Sequence, residues 1–217
     1  MIPSLSTSKR ALLAGIVLIG LVSATGCLEG LTNEEVTATA DPAAVNNDAL
    51  ASTSYELTRN DSPTIERSVS VLGMNRTFKA TSHIREYERN TDIGPEVTIT
   101  RLVVIATPKK SVAGQSVNPL GEMSNSELIE RFLNTYNGVQ NVESVDNRSV
   151  AMLDNERTVE RFRAEAQIIQ GISITVNIHI TTFEHEGDYI TVIGAHPEQL
   201  DEEGNIDGLM GGLKHPA

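Results

Sequence analysis

The sequence is poor in cysteine and in aromatic side chains, and each shortage excludes a class of protein. Its 217 residues include one cysteine, no tryptophan, four tyrosines and four phenylalanines. One cysteine excludes an intramolecular disulfide, a cysteine-rich zinc site and a CxxCH haem attachment. So few aromatic rings also argue against a sugar-binding surface built on stacking. The length predicts one domain, or at most two.

Basic residues are scarce as well. The chain has 17 Lys and Arg against 29 Asp and Glu, a formal net charge of −12. A nucleic-acid-binding surface needs a basic footprint, so we expect no nucleic-acid partner.

Residues 1–26 have the order of an export signal. A basic pair, Lys9 and Arg10, precedes an uncharged apolar run over 11–22. A spanning helix needs about 20 apolar residues to cross a hydrocarbon layer of roughly 30 Å, so this shorter run favours a cleaved signal peptide. An uncleaved anchor is the alternative, since the uncharged stretch continues to residue 28. Either arrangement places the rest of the chain outside the cell, because the basic pair favours the cytoplasm.

Cys27, the single cysteine, directly follows Ala24-Thr25-Gly26. This segment resembles a lipobox, with Ala24 where lipoboxes usually carry leucine. The basic pair upstream resembles a twin-arginine signal with lysine in the first place. The resemblance implies cleavage before Cys27 and a lipid on its thiol, which anchors the protein on the external face of the cell membrane. A lipidated thiol leaves no thiolate for a blue-copper site or a catalytic cysteine.

The acidic residues are dispersed along the chain, and only five of the basic residues are lysine. Dispersed negative charge keeps a protein surface hydrated and soluble when salt screens the repulsion. Together with the lipobox and the export signal, this favours a haloarchaeal source. An ordinary acidic domain from a low-salt organism is the alternative.

After the signal we predict a tether over 27–34, one domain over 35–200 and a mobile, acidic and glycine-rich tail over 201–217. Strand patterns dominate the domain. Residues 172–181 alternate Ile or Val with polar residues, which predicts a strand with one face in solvent. Residues 161–168 predict its hairpin partner across Gln170-Gly171.

Other segments complete the predicted sheet. A turn at 186–188 leads into a strand over 189–195, and residues 98–106 predict a central strand that is apolar on both faces. Segments 65–72 and 77–88 predict a further hairpin around residues 73–76.

The main predicted helix begins at a capping box formed by Ser124 and Glu127 and ends before Gly138. A shorter helix is predicted from Asp41-Pro42 to about Ser52. The expected fold is therefore α+β, with an antiparallel sheet of several hairpin-linked strands covered by one main helix over about 124–137.

The order of these features resembles a family of haloarchaeal lipoproteins of unknown function. The segments that carry the resemblance are 37–45 (TATADPAAV), 118–132 and 193–197 (IGAHP). The family has no assigned activity, so the resemblance implies no functional residues. The helix followed by antiparallel strands is also faintly similar to the Mog1/PsbP-like fold, which implies nothing about function.

Three histidines fall near the last predicted strands: His179, His185 and His196, with Glu184 and Glu186 beside His185. A metal site needs two or three such groups to converge. His179 falls on the polar side of its strand and His185 at a turn. This placement favours unrelated surface histidines, so we predict no metal site.

Asp201, Glu203, Asn205 and Asp207 alternate like the start of a calcium loop. The sixth position of that pattern lacks glycine and the twelfth lacks glutamate. A solvated acidic tail is therefore favoured over calcium binding.

Arg161 and Arg163 share one strand face. We expect them to pair with carboxylates of a neighbouring strand, with anion binding as the alternative. Three sequons, at Asn60, Asn75 and Asn147, make N-glycosylation possible at a cell surface. Asn75 falls in a predicted hairpin turn.

The sequence carries no serine nucleophile motif, phosphate-binding glycine loop or HExxH motif. We therefore predict no catalytic residues, no cofactor and no enzymatic activity. The leading interpretation is a non-enzymatic, membrane-attached module that binds an envelope protein or supports the envelope. A small-ligand or solute-binding lipoprotein serving transport is the alternative, although about 165 residues is small for a two-lobed binding protein. A secreted hydrolase has the least support, and the oligomeric state stays open.

Overall fold

A computed structural model describes residues 35–71, 74–90, 100–112, 115–116, 123–133, 139–169 and 172–217. The predicted signal peptide, Cys27 and the tether lie outside these residues. So do the Gln170-Gly171 turn and Gly138. In chain order the elements of the described residues are β1 (Glu35–Thr39), β2 (Ala44–Val45), α1 (Asn47–Thr53), β3 (Glu56–Asp61), β4 (Thr64–Val71), β5 (Met74–Thr81), β6 (His83–Glu88), β7 (Arg101–Pro108), β8 (Ser111–Val112), β9 (Gln115–Ser116), α2 (Asn125–Leu133), β10 (Val139–Met152), β11 (Asn155–Ile169), β12 (Ile172–His185), β13 (Asp188–Pro197), α3 (Glu203–Gly211) and β14 (Leu213–Lys214).

The main sheet has seven strands in the order β10-β11-β12-β13-β7-β6-β3, and each neighbouring pair is antiparallel. A second sheet has the order β1-β5-β4, in which β1 runs parallel to β5. The short strands β2 and β14 pair with each other, and so do β8 and β9. Both larger sheets are open, with strands at their edges. This architecture confirms the predicted α+β class and its hairpin-linked antiparallel sheet.

Two local predictions for the sheet are confirmed by backbone pairing. β12 and β13 join at Glu186 and Gly187, whose φ angles of 47° and 89° are both in the left-handed region. Two-residue turns with this geometry match the twist of the flanking strands. β7 lies between β13 and β6 and is buried on both faces, as its apolar sequence predicts.

The predicted hairpin over 65–88 is more complex than its sequence pattern indicates. β4 and β5 form the hairpin, but the expected second strand is divided at Ser82. β5 stays in the small sheet, and β6 continues in the main sheet beside β7.

Helix α2 packs on one face of the main sheet. Its capping box is formed: the Glu127 carboxylate accepts from Ser124 N at 2.8 Å, and Glu127 N donates to Ser124 Oγ at 3.3 Å. Leu128 and Ile129 are buried against apolar side chains of β11 and β12. The main predicted helix is therefore present over the sheet, and its predicted last turns lie outside the described residues.

Helices α1 and α3 cover the opposite face of the main sheet. α1 begins five residues later than expected from Asp41-Pro42, because Ala44 and Val45 pair with β14 instead. Its N-cap is Asn46, whose Oδ1 accepts from Ala49 N at 2.9 Å.

The prediction of a mobile tail over 201–217 is wrong. Ile206, Leu209 and Met210 of α3 are fully buried, and β14 pairs with β2. One of the glycines that suggest flexibility is required for packing: a Cβ added to Gly212 would lie 2.4 Å from the Ala49 Cβ. The folded domain therefore includes residues 201–217.

The prediction that one face of the strand over 172–181 meets solvent holds at Ser173, which is exposed, and is wrong from Asn177 onwards. Asn177, His179 and Thr181 are all buried, His179 completely. His179 pairs with Gly194 across the sheet, and a Cβ added to Gly194 would lie 2.8 Å from Ile206 Cγ2. α3 therefore covers the sheet next to His179. Within the described residues, no helix is long and apolar enough to cross a membrane.

Candidate functional site

Polar side chains form three groups: one between β12 and β13, one between α3 and the sheet, and one at the end of the β12–β13 hairpin. The first group contains His179 of β12 and His196 of β13, both buried. Their rings are nearly parallel, with centroids 5.1 Å apart and planes 8° apart, and their Nε2 atoms lie 3.0 Å apart. The prediction of unrelated surface histidines is therefore wrong for these two residues.

The partners of this pair determine where its protons sit. His196 Nδ1 lies 2.9 Å from the carbonyl oxygen of Pro197, which can only accept, so Nδ1 carries a proton and Nε2 accepts. His179 Nε2–H then donates to His196, which leaves His179 Nδ1 to accept from Arg148 Nη1 at 2.9 Å. The hydrogen bonds run in one direction, from Arg148 to Pro197, and both histidines are neutral.

Burial reinforces this neutral state. It lowers the pKa of His179 to about 3, with the positive charge of Arg148 as the next cause. Burial also lowers the pKa of His196. A proton on either ring would leave a charge in a poorly solvated interior. The pair therefore holds β12 and β13 in register beneath α3 and does not exchange protons near neutral pH.

The second group is made of acids that begin the C-terminal segment. The one N–H of Arg148 Nε is shared between the two carboxylate oxygens of Asp207, each 3.0 Å away, and Nη2 of the same guanidinium donates to Oδ1. Glu203 lies 3.8 Å from Arg148 and 3.5 Å from Arg161. These acids were expected in a solvated tail, with a calcium loop as the alternative. Instead, they are ion-pair partners that fasten α3 to β10 and β11.

The predicted pairing of the β11 arginines is confirmed. Arg161 binds Asp146 of β10, and Arg163 lies 3.6 Å from Glu143 and 2.9 Å from Glu198. Neighbouring Arg157 stacks instead on the Phe183 ring, 4.4 Å from its centroid.

Glu202, at the start of α3, is the most deeply buried acid of this region, with 1% of its surface exposed. Its carboxylate pairs with Arg89 and accepts from Asn205 Nδ2 at 3.0 Å and from the Tyr55 hydroxyl at 3.3 Å. Burial and this carboxylate raise the pKa of Tyr55, so its hydroxyl stays a donor. Nothing in the local sequence distinguishes Glu202 from the exposed acids beside it.

The third group lies where the C-terminus returns to the β12–β13 turn. His185 Nδ1 and His215 Nδ1 are 3.0 Å apart, and their rings meet edge to face. His215 Nε2 lies 3.2 Å from Asp188 Oδ2, which also accepts from Asp41 N at 2.7 Å. Glu186 completes a set in which one ligand atom from each of His185, Glu186 and His215 lies within 4.8 Å of the others.

Sequence reasoning missed this cluster because His215 was assigned to a mobile tail. The available signal was the pair of histidine and acid at positions 185 and 186 beside a tight turn. The structure does not bring His185 to His179 or His196, with which it was grouped.

The predicted modification sites are divided between exposed strands and the undescribed part of the chain. Cys27 lies outside the described residues. Asn60 of β3 and Asn147 of β10 are exposed on the two edge strands of the main sheet. The backbone of Asn75 lies in β5 and pairs with Ser70, close to the predicted turn.

Comparison with known proteins identifies the family and no activity. Among curated proteins, none matches the chain. A family profile described as a domain of unknown function (DUF6517) matches residues 42–214, which include α1, α3 and every strand of the main sheet. Because this match covers most of the length of the chain, the chain belongs to the DUF6517 family.

Proposed function

We propose that this protein is a non-enzymatic interaction module, held by a lipid on Cys27 at the external face of a haloarchaeal membrane, which binds an envelope protein by strand addition. The lipobox-like segment and the short apolar run before it support the anchor. The excess of acids over bases and the small number of lysines support the haloarchaeal source.

The length of the tether supports a position close to the membrane. The tether has eight residues, 27–34, counted from the lipid-bearing Cys27 up to β1, which begins at Glu35. A fully extended chain of that length spans at most about 28 Å. β1 belongs to the small sheet, so the small sheet is the part of the described domain nearest the anchor along the chain.

The observation that carries the proposal is the open edge of β4 in this sheet. β4 pairs with β5 in unbroken register from Thr64 to Val71, and no described strand covers its other side. Ile65 on this edge is 54% exposed. The edge strands β3 and β10 of the main sheet both carry register shifts, which protect an edge from pairing. β4 lacks that protection, and its unpaired backbone groups suit an extended segment of a partner protein.

The state of the interior supports a role without catalysis. His179 and His196 are locked in one hydrogen-bond direction, and Glu202 is bound by Arg89, Asn205 and Tyr55. A general acid or base needs a proton it can exchange with a substrate. Instead, the histidine pair joins β12 to β13, and Glu202 holds the start of α3 in place.

The anchor is tested by fractionation and mass measurement of the native protein. Wild type is expected in the membrane fraction with a mass increase on Cys27, whereas Cys27→Ser should lose both. An unmodified Cys27 in the membrane-bound protein would contradict the lipid anchor.

The edge is tested by high-salt purification from solubilised membranes, followed by mass spectrometry. Successive backbone N–H groups of a strand point to opposite sides, so one of the two residues Glu66 and Arg67 has its N–H directed away from β5. Proline at that residue removes a donor from the open edge and keeps the pairing with β5. Whichever variant keeps the wild-type melting temperature is used. We expect it, and Ile65→Lys, to lower recovery of a stoichiometric partner at least tenfold.

Leu57→Lys is the matched control, because Leu57 is 48% exposed on the β3 edge. It should retain the partner. Equal recovery in all variants, or equal loss in the control, would contradict strand addition at β4.

A second candidate function, small-ligand binding, is favoured by one cavity. It has a volume of about 460 Å³ and lies between the turn at 151–154 and the C-terminal residues 211–216. Ligand pockets usually occupy about 300–1,000 Å³. A saturable rise in melting temperature with a small molecule, lost on filling the cavity with Gly211→Leu, would support this function.

A further inference from the structure

The cluster at the β12–β13 turn brings two imidazole nitrogens into direct opposition. His185 Nδ1 and His215 Nδ1 are 3.0 Å apart, although the residues are 30 positions apart in sequence. His215 is held in place by β14, which pairs with β2, and by a hydrogen bond from Ala217 N to Pro42 O at 2.9 Å. The β12–β13 hairpin therefore positions His185, and the C-terminal pairing positions His215.

The hydrogen bonds of His215 fix which nitrogen offers a lone pair. Its Nε2 lies 3.2 Å from the Asp188 carboxylate, which accepts, so Nε2 carries the proton. Nδ1 of the neutral ring is then an acceptor and faces His185 Nδ1. Two nitrogens at this distance share one proton in a hydrogen bond, or they both coordinate one cation that replaces the proton.

The Asp188 carboxylate is placed to orient the imidazole ring of His215. It is buried, and its Oδ2 accepts both from His215 and from Asp41 N. Histidines that bind metals commonly donate their second N–H to a carboxylate, which orients the ring and increases its basicity as a ligand.

Glu186 brings an anionic oxygen to the open side of the two imidazoles. Its backbone is in the left-handed region, with φ of 47°, in a turn position where Asn, Asp or Gly is preferred. Its carboxylate is exposed, and one of its oxygens lies within 4.8 Å of the ligand nitrogens of both histidines.

We infer that His185 Nδ1, His215 Nδ1 and the Glu186 carboxylate form a binding site for a divalent transition-metal ion of the zinc class. Two imidazoles and one carboxylate suit zinc, whereas magnesium and calcium prefer oxygen ligands. The exposed side of the site leaves a position for water or another ligand. A bound ion would link the β12–β13 turn to the C-terminus. This inference goes beyond the proposed function and holds with or without a lipid on Cys27.

Zinc titration by calorimetry tests the site directly on the full chain in detergent. Molar KCl and excess Mg²⁺ are added so that the surface carboxylates do not bind zinc. The Cys27→Ser variant is measured in parallel, because it lacks the thiol as a ligand. We expect one zinc per chain with micromolar or tighter affinity in both proteins. Cobalt(II), added as a spectroscopic probe, should show the visible absorption bands of a low-coordinate nitrogen and oxygen site.

Variants separate this site from adventitious binding. His185→Gln should weaken zinc binding at least tenfold, and Glu186→Gln should weaken it several-fold. Both positions have some solvent exposure, so these chains should fold. His83→Gln removes a histidine of β6 that hydrogen-bonds Ser62 and is not part of the cluster, and it should bind zinc as wild type does.

A thermal measurement gives an independent readout. Zinc should raise the melting temperature of wild type and of His83→Gln, EDTA should reverse the rise, and His185→Gln should show none. The inference is overturned if wild type shows no saturable binding of one zinc. It is also overturned if His185→Gln binds zinc as tightly as wild type, or if Cys27→Ser abolishes binding.

Discussion

His179 donates from Nε2 to His196 Nε2 across a 3.0 Å contact, and the complete series of hydrogen bonds from Arg148 to Pro197 exists only while both rings are neutral. If either ring took up a proton, its Nε2 and Nδ1 would both become donors, and one hydrogen bond of the sequence from Arg148 to Pro197 would be lost. The contact lies under α3, so the C-terminal segment and the histidine pair stabilise each other.

The free energy of unfolding should decrease as the pH is lowered below about 6.5. The unfolded chain binds a proton at each of these histidines near pH 6.5, whereas burial lowers the pKa of folded His179 to about 3 and also lowers that of His196. Between these values the unfolded state binds more protons, so stability rises with pH and is lost as pH falls. His179 alone accounts for a loss on the order of 4 kcal/mol by pH 3.

Urea unfolding at pH 7, 6 and 5 checks this dependence, above the range where most carboxylates titrate. His179→Gln should reduce the slope of stability against pH. A free energy of unfolding that stays constant from pH 7 to pH 5 would contradict neutral, buried histidines.

Arg148→Ala should destabilise the fold by about 2–3 kcal/mol, because it leaves the Asp207 carboxylate and the buried His179 Nδ1 without their donor. Chemical denaturation measures the change. Lys79→Ala is the control: it breaks an exposed ion pair with Glu35 and should cost less than about 1 kcal/mol. Similar costs for the two variants would argue against a special role for Arg148.

Gly194→Ala should cost about 1–3 kcal/mol, because the added Cβ would lie 2.8 Å from Ile206 Cγ2. Ile206→Ala removes the clashing atoms and by itself costs about 2–5 kcal/mol through its cavity. The double variant should be more stable than the sum of the two losses by at least about 1 kcal/mol. Additive losses would show that β13 and α3 are not in the close contact described.

Deleting residues 201–217 should abolish cooperative unfolding. Ile206, Leu209 and Met210 are fully buried, and at about 1.5–3 kcal/mol each their loss matches much of a typical domain stability of about 5–15 kcal/mol. Circular dichroism during heating checks this. Deleting Ala217 alone removes one backbone bond to Pro42 and should leave a cooperative transition. A truncated chain that melts like wild type would restore the idea of a dispensable tail.

The parts of the fold that depend on neighbours in sequence were predictable. The capping box of Ser124 and Glu127 involves residues three positions apart, and the Glu186-Gly187 turn joins adjacent strands. Alternation over 172–181 correctly predicted a strand, because the side chains of a strand alternate between its two faces.

The candidate sites depend on contacts that no local pattern encodes. Arg148 and Asp207 are 59 positions apart, and Tyr55 and Glu202 are 147 apart. When their distant partners are unknown, the acids and glycines of residues 201–217 have the composition of a solvated tail. The polar residues of β12 likewise have the pattern of a solvent-exposed face until the sheet next to His179 is covered by α3.

Local sequence is enough to predict the strand periods, the tight turn and the helix cap, and the apolar run before Cys27 predicts the anchor. Each of these follows from backbone preferences and from the polarity of residues a few positions apart. Three further features emerge from tertiary packing alone: the C-terminal segment is part of the core, His179 and His196 form a neutral pair, and His185 contacts His215. Those outcomes depend on which distant groups desolvate and bind one another, since burial and charge pairing are properties of the packed chain.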